Sequence, residues 1–124
     1  MSLRFFICNH CGNIIAMIKD QGVPIKCCGE SMKEIIAGTN EGAKEKHIPV
    51  YHTIGETVTV CVGETAHPMT SEHYIAWVCM ETEEGFQLKK LTPVMSPKVS
   101  FSLSKGDKVK SVYAFCNQHS LWKA

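Results

Sequence analysis

No stretch of this chain carries a sustained 3.6-residue apolar stripe, whereas several alternate with a period of two. Thr57-Val58-Thr59-Val60-Cys61-Val62 and Lys98-Val99-Ser100-Phe101-Ser102-Leu103 alternate cleanly, the pattern of a half-buried strand. Tyr74 to Met80 is a longer β-rich run, and Gly85-Phe86-Gln87-Leu88 resumes after an expected acidic turn, Glu81-Thr82-Glu83-Glu84. Lys105-Gly106-Asp107-Lys108 reads as another turn, leading into Val109–Phe115. Short strands punctuated this regularly predict an all-β chain built as an antiparallel sandwich or barrel. At 124 residues the chain is one domain, or one domain plus a small module that cannot hold itself together by core burial alone.

The cysteines locate such a module. Four of the seven fall within the first 28 residues, at Cys8, Cys11, Cys27 and Cys28. The apolar residues around them are few: Phe5, Phe6, Ile7, Ile14, Ile15, Met17, Ile18, Val23 and Ile25. A segment of about 36 residues is below the size at which apolar burial suffices, so a metal or a partner chain is expected to staple it. A C-x-x-C turn brings two sulfurs to one ion, and a second pair completes a thiolate cage. The second pair is adjacent, and neighbours on an extended chain point to opposite sides. Both can ligate one ion only if the backbone bends there, and their sulfur–metal–sulfur angle is then expected to depart from tetrahedral. Gly12 and Gly29, one after each pair, can relieve that bend. A redox dithiol needs only two cysteines, and four thiolates suit iron and zinc alike. His10, inside the first turn, is expected to be solvated. The polar, glycine-punctuated Gly38–Lys44 reads as the linker to the second domain, giving expected boundaries of 1–36 and 37–124.

Composition narrows the function. A net charge of +1 offers no field for nucleic acid or an anionic membrane. No apolar run approaches the ~20 residues of a membrane span, and the polar start shows no export signal. An odd cysteine count also argues against a secreted disulfide framework, so a cytoplasmic protein is expected. Cys61, Trp77 and Cys79 superficially resemble the disulfide-and-tryptophan core of immunoglobulin domains. Trp77 and Cys79 lie two apart on one strand, however, so Cys61 and Cys79 are read as buried free thiols.

The C-terminal half holds a different donor set. Cys116-Asn117-Gln118-His119 follows a strand, at a spacing where a tight turn can present sulfur and imidazole to one ion. His67 precedes Pro68, His73 returns after a short loop, and His47 precedes Ile48-Pro49. One thiolate with four imidazoles is wrong for a structural zinc site, which closes with four ligands. It suits a redox metal such as iron, with one coordination position left for substrate.

Glu45-Lys46-His47-Ile48-Pro49-Val50, His67-Pro68-Met69 with His73, and Cys116-Asn117-x-His119 with Trp122-Lys123 resemble the signature of superoxide reductases. Cys8, Cys11, Cys27 and Cys28 are similar to the desulforedoxin-like module of the two-iron class, the desulfoferrodoxin family. The resemblance spans essentially the whole chain, with all nine ligand positions filled. It implies a small desulforedoxin-like metal-stapled module followed by an immunoglobulin-like antiparallel β-sandwich. It implies Fe(Cys)4 at Cys8, Cys11, Cys27 and Cys28, with zinc possible there. It further implies Fe(His)4(Cys) at His47, His67, His73, His119 and Cys116, the cysteinate axial and the position opposite open to superoxide. Glu45 is implied to occupy that position in the ferric state, and Lys46 to support the substrate. The implied reaction is one-electron reduction of superoxide to hydrogen peroxide, with rubredoxin as electron donor and a homodimeric assembly. An iron electron carrier, a zinc-stabilised binding module and a superoxide dismutase are the rival readings. His52, Cys61 and Cys79 fall outside the pattern.

Overall fold

The computed structural model describes residues 3–39, 42 and 44–124. Contacts divide the chain into two compact units, Met1–Ile36 and Ala37–Ala124. Among the described residues no helix is long and apolar enough to cross a membrane.

Among its described residues the first unit contains five short strands: β1 (Arg4–Ile7), β2 (Ile14–Met17), β3 (Lys26–Cys27), β4 (Glu30–Ser31) and β5 (Lys33–Ile35). β1 is the centre of an antiparallel sheet ordered β2-β1-β5, while β3 and β4 pair as a hairpin. Arg4 ties β1 to Glu34 of β5 at 2.9 Å and also pairs with Asp20. Its core is as small as its length dictates. Phe5 and Cys8 are buried, whereas Ile18 and Val23 are 73% and 71% exposed. That leaves the sulfur cage as the main internal constraint on this unit.

The second unit is an antiparallel sandwich. Helix α1 (Lys44–His47) precedes β6 (Pro49–Ile54), β7 (Thr57–Val62), β8 (Ile75–Thr82), β9 (Phe86–Lys90), β10 (Lys98–Ser102), β11 (Val109–Cys116) and β12 (Ser120–Lys123). One sheet is ordered β10-β7-β6 and the other β12-β11-β8-β9. The alternation in sequence becomes the packing: Val58, Val60, Val62, Val99 and Phe101 from the first sheet meet Val78, Met80, Val112 and Ala114 from the second. Gly55, with φ +60°, turns the β6–β7 hairpin in a conformation that glycine adopts without strain. At the β9 edge, Gln87 Nε2 donates to Ser102 O at 2.7 Å and Lys89 Nζ to Ser100 O, lacing this sheet to β10 of the other.

The structure corrects three expectations from the sequence. The linker ends in a one-turn helix, because His47 is drawn into the protein while Lys44 and Glu45 stay outside; Asn40, Glu41 and Ala43 of that linker lie outside the described residues. Strand β8 runs through Glu81 and Thr82, both buried, because Tyr113 Oη donates to Glu81 Oε1 at 3.2 Å and Thr82 pairs with Val109. The acidic turn is therefore shorter than its charge pattern predicts. Of the two cysteines read as buried, Cys79 is fully so but Cys61 is half-buried.

Burial pushes the Cys79 thiol up to about 12, so it carries almost no thiolate near neutral pH, and the thiolate is the nucleophile. In metal-loaded protein we expect iodoacetamide to modify Cys61 while sparing Cys79 until the chain is unfolded. Peptide mapping by mass spectrometry checks this, and early labelling of Cys79 refutes it.

Candidate metal centres

In the first unit the four sulfurs of Cys8, Cys11, Cys27 and Cys28 lie within 4.8 Å of one another. Backbone conformation achieves this. Gly12 N–H donates to Cys8 O at 2.9 Å, closing the C-x-x-C turn, and Gly12 has φ +82°. Cys28 itself adopts a left-handed φ of 54° and Gly29 follows at +79°; this is the bend that two adjacent ligands require. A side chain at Gly12 or Gly29 would meet no neighbour within 4 Å, so glycine is needed there for its φ, not for space. Cys11 Sγ and Cys27 Sγ are 3.6 Å apart, near the ~3.8 Å between sulfurs bonded tetrahedrally to one ion at ~2.3 Å. The backbone N–H groups of Cys11 and His10 hold the Cys8 thiol down, to about 6. Hydrogen bonding to the Cys11 and Cys8 sulfurs pushes Cys28 up to about 12. The raised Cys28 thiol disfavours full ionisation of the set, and a cation among the sulfurs would favour it. His10 stays outside the cage and pairs with Glu30 at 3.0 Å.

The second unit collects its donors from three places. His47 ends α1, His67 and His73 lie in the β7–β8 connection, and Cys116 and His119 flank the β11–β12 turn. Their five donor atoms all lie within 4.8 Å of one another. His47 Nε2 is 3.1 Å from both His67 Nε2 and His119 Nδ1, close to the ~3.0 Å expected of nitrogens bonded at right angles to one ion at ~2.1 Å. His67 Nδ1 donates to Pro68 O at 2.7 Å, which fixes the tautomer and leaves Nε2 with its lone pair inward. His73 Nε2 is buried with no hydrogen-bond partner, a state that normally costs about 1–3 kcal/mol and that a bound cation relieves. Cys116 Sγ completes the set 3.9 Å from His119 Nδ1 and accepts the His119 N–H at 3.4 Å. Four converging imidazole nitrogens and one sulfur therefore fit a single mononuclear metal ion.

The electrostatics agree with this. Burial, with the other histidines beside it, lowers His67 to about 4. Burial, His119 and Lys46 lower His73. Both shifts favour the neutral ring, the form that ligates a metal. Burial raises the Cys116 thiol, and a bound cation would favour its thiolate. Trp122 braces two of the donors. Trp122 stacks on His47 with ring centroids 4.9 Å apart, and its Nε1 donates to His119 O at 2.9 Å.

Sequence reasoning missed the clamp that holds the two loops together. Asn117 Oδ1 accepts Tyr74 N–H at 2.9 Å, while Asn117 Nδ2 and Gln118 Nε2 donate to Glu72 O at 3.0 and 2.7 Å. The Cys116–His119 turn is thus pinned to the loop that presents His73. An asparagine directly after a strand is a turn signal, but its distant partner is not readable locally. Glu45 is exposed on α1, Lys46 is half-buried, and Lys46 contributes to the depressed His73 value.

A small β unit with a four-cysteine cluster, followed by an antiparallel sandwich with a four-histidine, one-cysteine cluster, defines a class of proteins with two non-haem metal-binding sites. The Desulfoferrodoxin family profile matches residues 39–124, and the chain belongs to that family. A desulfoferrodoxin of Nitratidesulfovibrio vulgaris is 41% identical over 121 residues, covering 98% of this chain and 94% of its own. The crystal structure of the superoxide reductase from Treponema pallidum superposes with a TM-score of 0.84 at 41% identity, covering 99% of this chain and 97% of the other. The one-iron superoxide reductase from Giardia intestinalis is 29% identical with a TM-score of 0.55, covering 65% of this chain and 96% of its own.

Proposed function

We propose that this protein is a superoxide reductase, catalysing superoxide + electron + 2 H⁺ → hydrogen peroxide without forming dioxygen. The observation that carries this reading is the convergence of four imidazole nitrogens and the buried Cys116 sulfur on one point. His47, His67, His73, His119 and Cys116 would hold iron, and Cys8, Cys11, Cys27 and Cys28 iron or zinc. Iron held by these five donors would supply the one-electron redox chemistry, and Cys116 would supply a thiolate that donates electron density to it.

The remaining work falls to the chain. Four neutral imidazoles leave the site's positive charge uncompensated except by the thiolate, which favours an anionic substrate. Lys46 adds a cation beside His73, steering superoxide and stabilising the negative charge that develops during reduction. Glu45, one residue earlier on the exposed side of α1, would offer its carboxylate to the oxidised metal. Rubredoxin is the proposed electron donor, the cytoplasm the proposed compartment and a homodimer the proposed assembly. The small core of the first unit, with Ile18 and Val23 exposed, supports association of two copies.

Pulse-generated superoxide tests the activity. We expect stoichiometric oxidation of the ferrous five-donor centre with hydrogen peroxide as product and turnover only when a reductant is present. Catalytic loss of superoxide with evolution of dioxygen identifies a dismutase instead. No reaction identifies a closed electron-carrying or binding site.

A further inference from the structure

The turn carrying Glu45 and Lys46 is too short to hold itself. Helix α1 has four residues, and its closing bond is Ile48 N–H to Lys44 O at 2.9 Å. A single turn lies far below the length at which helix formation offsets its nucleation cost, so its order must come from tertiary contacts. Residues 62–67 supply them. Thr65 N–H donates to Glu45 O at 2.7 Å, and His67 N–H donates to Val62 O at 2.9 Å. The loop that presents His67 therefore also grips the turn that presents His47.

Gly63 lies at the point of contact. A Cβ there would stand 2.8 Å from Glu45 O, 2.8 Å from Ile48 O and 2.9 Å from the Lys46 carbonyl carbon. All three are backbone atoms, which cannot swing aside as a side chain can. The contacts at Gly63 and Thr65 are made with main-chain atoms of α1 and Ile48. Beside it Lys44, Glu45, Ile48, Val50 and Glu64 line a cleft of about 330 Å³, and the Glu45 side chain is exposed. This arrangement fixes the Glu45 backbone while leaving its carboxylate room to move. His47 has a second support in its stack on Trp122, which Glu45 and Lys46 do not share.

We propose that Gly63 is a positioning residue for Glu45 and Lys46: by admitting close backbone contact, it lets the Thr65 amide hold that pair beside the five-donor centre. The roles of Glu45 and Lys46 rest on the function proposed above; the clamp itself does not. In iron-loaded Gly63→Ala protein, hydrogen exchange at the Thr65 and Ile48 amides is expected to be about tenfold faster, as loss of one backbone hydrogen bond implies. Iron content stays at the wild-type level, and the ferric spectrum moves towards that of Glu45→Ala. Unchanged protection of both amides overturns the proposal. Should Gly63→Ala not fold, Thr65→Pro deletes the donor while adding nothing at the Gly63 contact. That variant is expected to expose the Ile48 amide and shift the ferric spectrum, and an unaltered Ile48 amide overturns the proposal equally. A ferric spectrum indifferent to Glu45→Ala removes the role proposed for Glu45, and the amide readout still decides the clamp.

Discussion

Cys116→Ser is expected to abolish the thiolate-to-ferric absorption of the five-donor centre and to slow its oxidation by superoxide by about a hundredfold or more, a barrier increase near 3 kcal/mol. The sulfur of Cys116 ends β11, is fully buried and lies among the four imidazoles. Serine keeps the size but loses the ligand chemistry, since a hydroxyl ionises far less readily than a thiol and would donate less electron density to a bound metal. The four histidines remain, so the variant should still bind a divalent ion, with weaker affinity. Burying a hydroxyl in place of a thiol costs about a further 1–3 kcal/mol of stability. Stopped-flow or pulse-radiolysis kinetics on protein of matched iron content separate the rate effect from the loss of metal. A wild-type rate in iron-loaded Cys116→Ser would remove the thiolate from the proposed mechanism.

Much of this architecture is written locally. Period-two alternation in Thr57–Val62 and Lys98–Leu103 translates directly into the inner faces of two sheets, because strand side chains alternate by covalent geometry alone. The adjacent Cys27-Cys28 pair demands a backbone bend by its spacing alone, and the left-handed Cys28 supplies it. Other features depend on partners far away in sequence. Glu81 and Thr82 look like turn residues, yet the ladder with β11 and the Tyr113 hydroxyl keep them in a strand. Helix α1 has no periodicity to detect in four residues and exists through contacts with residues 62–67. Asn117 and Gln118 acquire their meaning only when the β11–β12 turn meets Glu72 and Tyr74. Gly63 is equally silent in the sequence, because the backbone that excludes a side chain there belongs to residues 45–48.

Cys8→Ser should separate the two centres. Every donor of the five-ligand site comes from His47 onward, whereas the four sulfurs of the other cluster all lie in the first unit. Losing one of the four sulfurs therefore leaves the proposed catalytic donor set intact. With iron in the four-cysteine site, the expected result is disappearance of its thiolate-to-ferric absorption with oxidation by superoxide unchanged to within about twofold, as independent sites imply. The first unit itself should fare badly. Its buried side chains are few, and metal binding to a cage of this kind contributes on the order of 10 kcal/mol to the order of a small module. Limited proteolysis should accordingly cut within the first 36 residues of the variant under conditions that spare the wild type, leaving the sandwich whole. Measuring both properties on one preparation is decisive. Loss of the superoxide reaction with the five-donor iron still present would mean that the cysteine cage participates in the chemistry, whereas an uncut first unit would mean that something other than the cage holds it together.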